Sequence, residues 1–195
     1  MPQPPRIVVV RHGQTEWSAS GRHTSHTDLS LTEEGRSRAR ELGPALASGA
    51  FARVFTSPLK RARETCAIAG FGDRAEVRDE LHEWDYGEYE GLTTPEIRAR
   101  RADWSLWRDG CPGGESPDQV GARADRLLLD LERIEGDVLA FAHGHILRVL
   151  AARWLECPVA GGARLALSAG AISILGYERE THVLRRWNVV PGRVL

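Results

Sequence analysis

Three features of the 195-residue chain predict an α/β fold with a mainly parallel sheet covered on both faces and an antiparallel hairpin at one edge. Short runs such as Ile7-Val8-Val9-Val10 are uniformly apolar, the pattern of strands buried on both faces. Stretches with helical spacing and helix-start residues separate these runs, which points to a parallel sheet with crossover helices. The chain ends in two apolar runs, 171–177 and 182–189, joined by the polar turn Glu178-Arg179-Glu180-Thr181, a hairpin pattern.

Residues 6–10 read as the first strand, running into a polar loop over 13–30. Thr32 is an N-cap residue with Glu33 and Glu34 in the first turn, where carboxylates favour the positive end of the helix dipole, and Pro44 ends or kinks this helix. Residues 53–56 form a second strand, and Pro58 opens the helix that carries residues 60–69. Residues 75–78 read as a third strand. A helical segment with two tryptophans spans 95–107, followed by the stretch Gly110-Cys111-Pro112-Gly113-Gly114. Ser116 caps a long helix through about Ile134, with Val120, Ala124, Leu127, Leu128 and Leu131 at helical spacing. Residues 137–142 are a buried strand, and His143-Gly144-His145 leads into a helix over about 146–155. The reading is one domain over 1–195 with a short lid insertion at about 91–115.

Composition narrows the function classes. The formal net charge is −1, from 26 Lys+Arg against 27 Asp+Glu, so neither nucleic acid nor an anionic membrane has bulk electrostatic support. Lys60 is the only lysine, and the guanidinium fork of the many arginines suits phosphate oxygens. Cys66, Cys111 and Cys157 are odd in number and widely spaced, which indicates neither a disulfide framework nor a thiolate zinc site and suggests a reducing compartment. The opening Met1-Pro2-Gln3-Pro4-Pro5 has no apolar leader core and no run reaches membrane-spanning length, so the reading is a soluble, cytoplasmic protein.

The chemistry concentrates at strand ends. His12 follows the first strand and His143 follows 138–142, and parallel strands bring their carboxyl ends to one side of the sheet, where open α/β sheets hold ligands. Two convergent histidines fit a metal or a phosphate. Arg11 beside His12, and Arg61 after the second strand, decide for phosphate, because guanidinium cations weaken a metal site and neutralise phosphoryl oxygens. Helix starts near Pro58 and His145 add backbone N–H groups for an anion. Glu83, between Leu81 and Trp84, is partly desolvated and suits a general acid, whereas Glu88 and Glu90 read as solvated surface charges. Trp104 and Trp107 read as packing residues under the lid, and His145 as a structural or rim residue.

With these residues in place, the chain resembles the histidine phosphatase superfamily, the phosphoglycerate-mutase-like group, over nearly its whole length. The family's motifs occur in order: Arg11-His12-Gly13, Leu31-Thr32-Glu33-Glu34-Gly35, Ser57-Pro58-Leu59-x-Arg61-Ala62-x-x-Thr65, Glu83-x-x-x-Gly87, Gly114-Glu115-Ser116 and His143-Gly144. The resemblance implies a three-layer α/β/α sandwich and no metal or other cofactor. It implies His12 as the phosphorylated nucleophile, Glu83 as proton donor, and Arg11, Arg61 and His143 as the phosphate pocket. Gly13, Ser18, Thr24 and Gly144 fall at substrate-binding positions, with simple loop hydrogen bonding as the alternative for Ser18 and Thr24. Within the superfamily, Trp17-Ser18 with Gly21-Arg22-His23-Thr24, Glu83-Trp84-Asp85-Tyr86-Gly87 and the segment from Gly91 to Ile97 are most similar to broad-specificity acid phosphatases and sugar-phosphate phosphatases.

Cofactor-dependent phosphoglycerate mutases of the family show Glu-Arg-x-Tyr-Gly and Gly-x-Asn-Lys where this chain has Trp84 and Thr94. A mutase must grip a bisphosphate at both ends and exclude water, so missing cations and a short lid favour hydrolysis. The expectation is a phosphomonoester hydrolase acting on a small phosphorylated metabolite through phosphohistidine. The alternatives are a cofactor-dependent phosphoglycerate mutase and a catalytically silent phosphosugar-binding protein. Arg11 and Arg61 should lower the pKa of His12, which permits an acidic optimum. No nucleic-acid or membrane partner is expected, and a homodimer is left open.

Overall fold

A computed structural model describes residues 5–192 of the chain; all of the opening segment except Pro5 lies outside the described residues, as do 193–195. One six-stranded sheet, in the order β3-β2-β4-β1-β5-β6, organises the molecule. Its strands are β1 (Ile7–Arg11), β2 (Phe51–Thr56), β3 (Ala75–Val77), β4 (Asp137–Ala142), β5 (Ile172–Glu178) and β6 (Thr181–Val189). β1 to β4 run parallel to one another, whereas β5 pairs antiparallel with both β1 and β6, which makes the C-terminal hairpin the antiparallel edge.

Side-chain alternation along β1 produces the three layers. Val8 and Val10 face a cluster with Leu42, Leu46 and Cys66 from helices α2 (Glu33–Leu46) and α3 (Lys60–Ile68). Ile7 and Val9 face the opposite cluster, built on α6 (Pro117–Glu132) and α7 (Gly144–Trp154) through Leu127, Leu131, Leu147 and Leu150. A strand buried on both faces has no polar positions to offer, which is why this run is continuous rather than alternating. Helix starts follow their caps: Thr32 accepts the amide of Gly35 at 3.1 Å, and Ser116 and Gln119 form a reciprocal capping box.

Several boundaries differ from the sequence reading. The loop after β1 contains a four-residue helix, α1 (Glu16–Ala19), closed by a Thr15–Ser18 capping box. Pro44 does not end α2, which continues to Leu46. The proline sits in the last turn, where its missing N–H removes one intrahelical bond, and buried Leu42 and Leu46 hold that turn to the sheet. Pro58 lies before the N-cap Leu59 and so outside α3. β2 starts at Phe51, ahead of a register shift between Phe51 and Arg53. The segment expected as one helix over 95–107 is two, α4 (Thr94–Arg100) and α5 (Leu106–Asp109). The chain breaks between them so that Trp104 turns inward, 2% exposed, with its indole N–H donating to the carbonyl of Gly110 at 2.9 Å. α7 begins at Gly144, two residues early, with His143 as its N-cap. Among the described residues no helix is long and apolar enough to cross a membrane.

Candidate active site

The carboxyl ends of the parallel strands converge as predicted. The His12 amide donates to the Ala142 carbonyl at 2.9 Å and the Ser57 amide to the Phe141 carbonyl at 2.9 Å, so the residues following β1, β2 and β4 sit side by side. The His12 and His143 rings lie 5.1 Å apart between centroids.

Hydrogen bonds fix the tautomer of each imidazole. Nδ1 of His12 is 2.6 Å from the carbonyl oxygen of Gly13, which can only accept, so Nδ1 carries the proton and Nε2 presents its lone pair. His143 is the reverse case. Nε of Arg61, an obligatory donor, lies 3.1 Å from His143 Nδ1, so Nδ1 accepts and the Nε2–H donates to the Ser57 hydroxyl at 2.7 Å. Burial pushes both imidazoles well below the usual 6.5, and the neighbouring Arg61 and Arg11 guanidinium groups add to the effect, as the sequence reading anticipated for His12. Both rings are therefore neutral in mild acid.

A cavity of about 210 Å³ opens here, with Arg11, His12, Glu83 and Gly144 in its walls. Arg11 donates from Nη1 to the Leu167 carbonyl at 2.5 Å, but its buried Nε has no hydrogen-bond partner. A buried donor without an acceptor is costly, and the guanidinium that carries it lines the cavity, where its charge favours an anion. Gly144 makes room for this guanidinium, because a Cβ there would stand 3.3 Å from Arg11 Cζ and Nε.

Arg61 and His143, read as phosphate-pocket residues, are not among the lining residues. Arg61 is 1% exposed, and apart from its bond to His143 it donates to the carbonyls of Thr24, Ser25 and Thr27 at 3.0 to 3.2 Å. It ties the loop over 24–27 to His143. Gly13 is not a lining residue either: its amide donates to Thr65 Oγ1 at 3.0 Å, and a Cβ would meet the Gly35 carbonyl oxygen at 2.5 Å. Its smallness lets the His12 loop lie against the start of α2. Ser18 and Thr24 do line the cavity, yet their hydroxyls donate to the Thr15 and Arg22 carbonyls at 3.0 Å.

Glu83 is 6% exposed, and its burial is compensated. Oε1 accepts the amides of Trp84 and Ile146 at 2.9 and 2.8 Å, and Oε2 accepts that of His145 at 3.0 Å. The helix start near His145 thus holds a protein carboxylate, and the start near Pro58 holds Asp28, which accepts the Lys60 amide at 2.7 Å. These two groups of N–H donors, expected to serve a bound anion, are already occupied. Glu90 also departs from its reading as a solvated charge: it accepts the amides of Ser25 and Thr27 at 2.8 to 3.0 Å and pins the loop that Arg61 grips.

The cavity contains residues to which the sequence reading gave no role of their own. Arg22 and Arg148 bring two further guanidinium groups, at positions other than Trp84 and Thr94, where the sequence reading found the cations of a mutase missing. Arg148 lies one helical turn beyond Gly144, so the phase of α7 was the available signal. His23 and Tyr86 complete the outer wall with His145. Trp104 packs edge-on against His23, and the Trp107 ring lies beneath the Arg148 guanidinium, 4.6 Å from it. Of the segment over 91–115, Thr94 alone is a lining residue. Among the described residues no three His, Cys, Asp or Glu side chains are grouped to hold a metal ion.

Comparison with known proteins agrees with this geometry. The profile of the Histidine phosphatase superfamily (branch 1) matches residues 7–190. The chain is 44% identical to an acid phosphatase of Mycobacterium tuberculosis, over 89% of this chain and 87% of that protein. It is 40% identical to a sedoheptulose 1,7-bisphosphatase of Saccharomyces cerevisiae, over 77% of this chain and 67% of that protein. A solved structure of an open reading frame product from Mycobacterium tuberculosis superposes with a TM-score of 0.91 at 41% identity, covering 96% of this chain and 98% of that one.

Proposed function

The chain belongs to the histidine phosphatase superfamily, branch 1, and from that premise we propose that it hydrolyses phosphomonoesters of small metabolites, sugar phosphates among them, through a phosphohistidine. One observation carries this reading: His12, whose Nε2 presents a free lone pair, and the Arg11 guanidinium line one cavity with Glu83. In the first step His12 Nε2 attacks phosphorus, the ester P–O bond breaks, and Glu83 delivers a proton to the departing alkoxide. In the second, the Glu83 carboxylate takes a proton from water as it attacks the phosphohistidine, which restores His12 and releases phosphate. Arg11 stabilises the equatorial oxygens. Arg61 holds His143 in the tautomer that makes its Nε2–H a donor, and a phosphoryl oxygen entering beside the two rings would replace the Ser57 hydroxyl as its acceptor. The guanidinium groups supply the charge that a metal would otherwise supply, so the reaction is metal-independent, and neutral imidazoles allow it in mild acid. The segment over 91–115 acts as a short lid. It contributes too little wall to keep water from the phosphohistidine, which favours hydrolysis over phosphoryl transfer between isomers.

The test is hydrolysis of 4-nitrophenyl phosphate by the purified protein. Activity should survive EDTA and be inhibited by vanadate, which mimics the five-coordinate phosphoryl group. A rapid quench into alkali should trap acid-labile phosphate on His12, and His12→Ala should abolish both label and turnover. Loss in EDTA with recovery on adding a divalent ion, or label on a serine or cysteine, would overturn the mechanism. Interconversion of phosphoglycerate isomers without phosphate release would move the chain to the mutase reading.

A further inference from the structure

Two imidazoles in the outer wall present opposite hydrogen-bonding faces. Nδ1 of His23 is 2.8 Å from the Leu92 carbonyl oxygen and so carries the proton, leaving Nε2 as an acceptor. Nδ1 of His145 lies 2.7 Å from the Tyr86 hydroxyl. Burial first, and then Glu83, push Tyr86 ionisation well above 10, and the phenol has no other acceptor among the described residues, so it donates to His145. Nδ1 of His145 is therefore an acceptor and Nε2 carries the proton. Burial lowers the pKa of both rings, which keeps them neutral. It also means that the 3.9 Å approach of His145 to Glu83 is not an ion pair. Among the described residues neither Nε2 has a partner, and neither is among the buried unpartnered atoms, so both remain accessible in the cavity that these residues line. The rings lie nearly parallel, 6.1 Å apart at 9°.

An acceptor at His23 has no use for a carboxylate or a phosphate dianion, which bring only acceptors. It needs a donor from the ligand. Ammonium groups are disfavoured because Arg11, Arg22 and Arg148 line the same cavity, which leaves hydroxyl groups. A diol satisfies both rings, one hydroxyl donating to His23 and the other accepting from His145. We propose that His23 and His145 are a hydroxyl-reading pair that selects phosphate esters of polyols over those of simple alcohols. This rests on the phosphatase reading of the site.

The experiment compares kcat/KM for glycerol 1-phosphate and n-propyl phosphate, which differ by two hydroxyl groups. Wild type should prefer the glycerol ester. At either position Asn reproduces Nδ1 of the imidazole and Gln reproduces Nε2. His23→Asn and His145→Asn should therefore cut the preference by about tenfold, a hydrogen bond's worth, while His23→Gln and His145→Gln keep most of it. Asn variants that retain the preference and Gln variants that lose it would mean that the rings only anchor Leu92 and Tyr86, which overturns the proposal. So would a wild type without preference. If neither ester nor 4-nitrophenyl phosphate is hydrolysed, the phosphatase reading fails. The same ratio is then read from the Kd values of the two esters, and equal binding would sink the hydroxyl pair separately.

Discussion

At the scale of single residues, the site is governed by which atom carries a proton. Gly13 leaves His12 a free lone pair on Nε2 through one carbonyl, and Arg61 sets His143 as a donor through one N–H. Glu83 is the group whose proton counts most when the leaving group is poor. Glu83→Gln should slow alkyl phosphates by roughly 10²- to 10⁴-fold, the usual range of general acid–base catalysis, and aryl phosphates much less in the phosphorylation step. A glutamine must also turn an NH₂ toward one of the three amides that Glu83 now accepts, so some stability is lost whatever the catalytic role. The dependence on leaving group separates the two effects. Equal losses for alkyl and aryl esters in that step would remove Glu83 as the acid.

At the scale of elements, what could be read from the sequence was whatever a strand end or a helix start dictates. Buried runs located β1 and β4, and parallel pairing placed His12 beside His143 without any sequence proximity. Loop residues gave no such physical signal, and Ser18 and Thr24 entered only through the resemblance. His23 and Arg22 reach the cavity because the loop after α1 doubles back onto the chain near Leu92 and Thr93, through contacts no periodicity encodes. Glu90 looked like a surface charge because its partners are backbone amides, which the sequence does not display. Its role has a consequence for the loop. Glu90→Ala should free the segment over 24–27 whose carbonyls hold Arg61, costing about 2 kcal/mol, the scale of hydrogen bonds to a charged acceptor. kcat/KM for 4-nitrophenyl phosphate should fall with it, and Glu90→Gln, which keeps an acceptor oxygen, should be milder. Urea unfolding and steady-state kinetics check this; a Glu90→Ala protein with wild-type stability and activity would return the residue to the surface-charge reading.

At the scale of the whole molecule, the fold closes both faces of the sheet with apolar side chains and leaves the carboxyl ends of β1, β2 and β4 to bury polar groups. His12, His23, His143 and His145 all lie there with pKa values depressed below 6.5, burial being the largest cause for each. In the unfolded chain the same imidazoles protonate near 6.5, so the unfolded state binds more protons than the folded one once the pH drops below that value. The stability these groups contribute is complete above about pH 6.5 and is lost as the pH falls toward the depressed folded values, by up to about 1.4 kcal/mol per pH unit for each ring. The carboxylates with lowered pKa, Glu80, Asp109 and Asp137 among them, have ordinary values of 4.5 or 3.8, so their contribution is lost only in stronger acid. The interval from pH 6.5 to 4.5 therefore reports on these histidines together with His82, whose pKa burial also lowers. Urea unfolding at pH 7, 6 and 5 should show stability falling steadily, with a shallower slope in His145→Asn, which removes one of the four imidazoles. The same burial that keeps His12 neutral in mild acid thus sets an acid limit on the folded protein. A free energy of unfolding that stays flat across this interval would mean that the rings are not held neutral, and the acid-tolerant nucleophile would lose its physical basis.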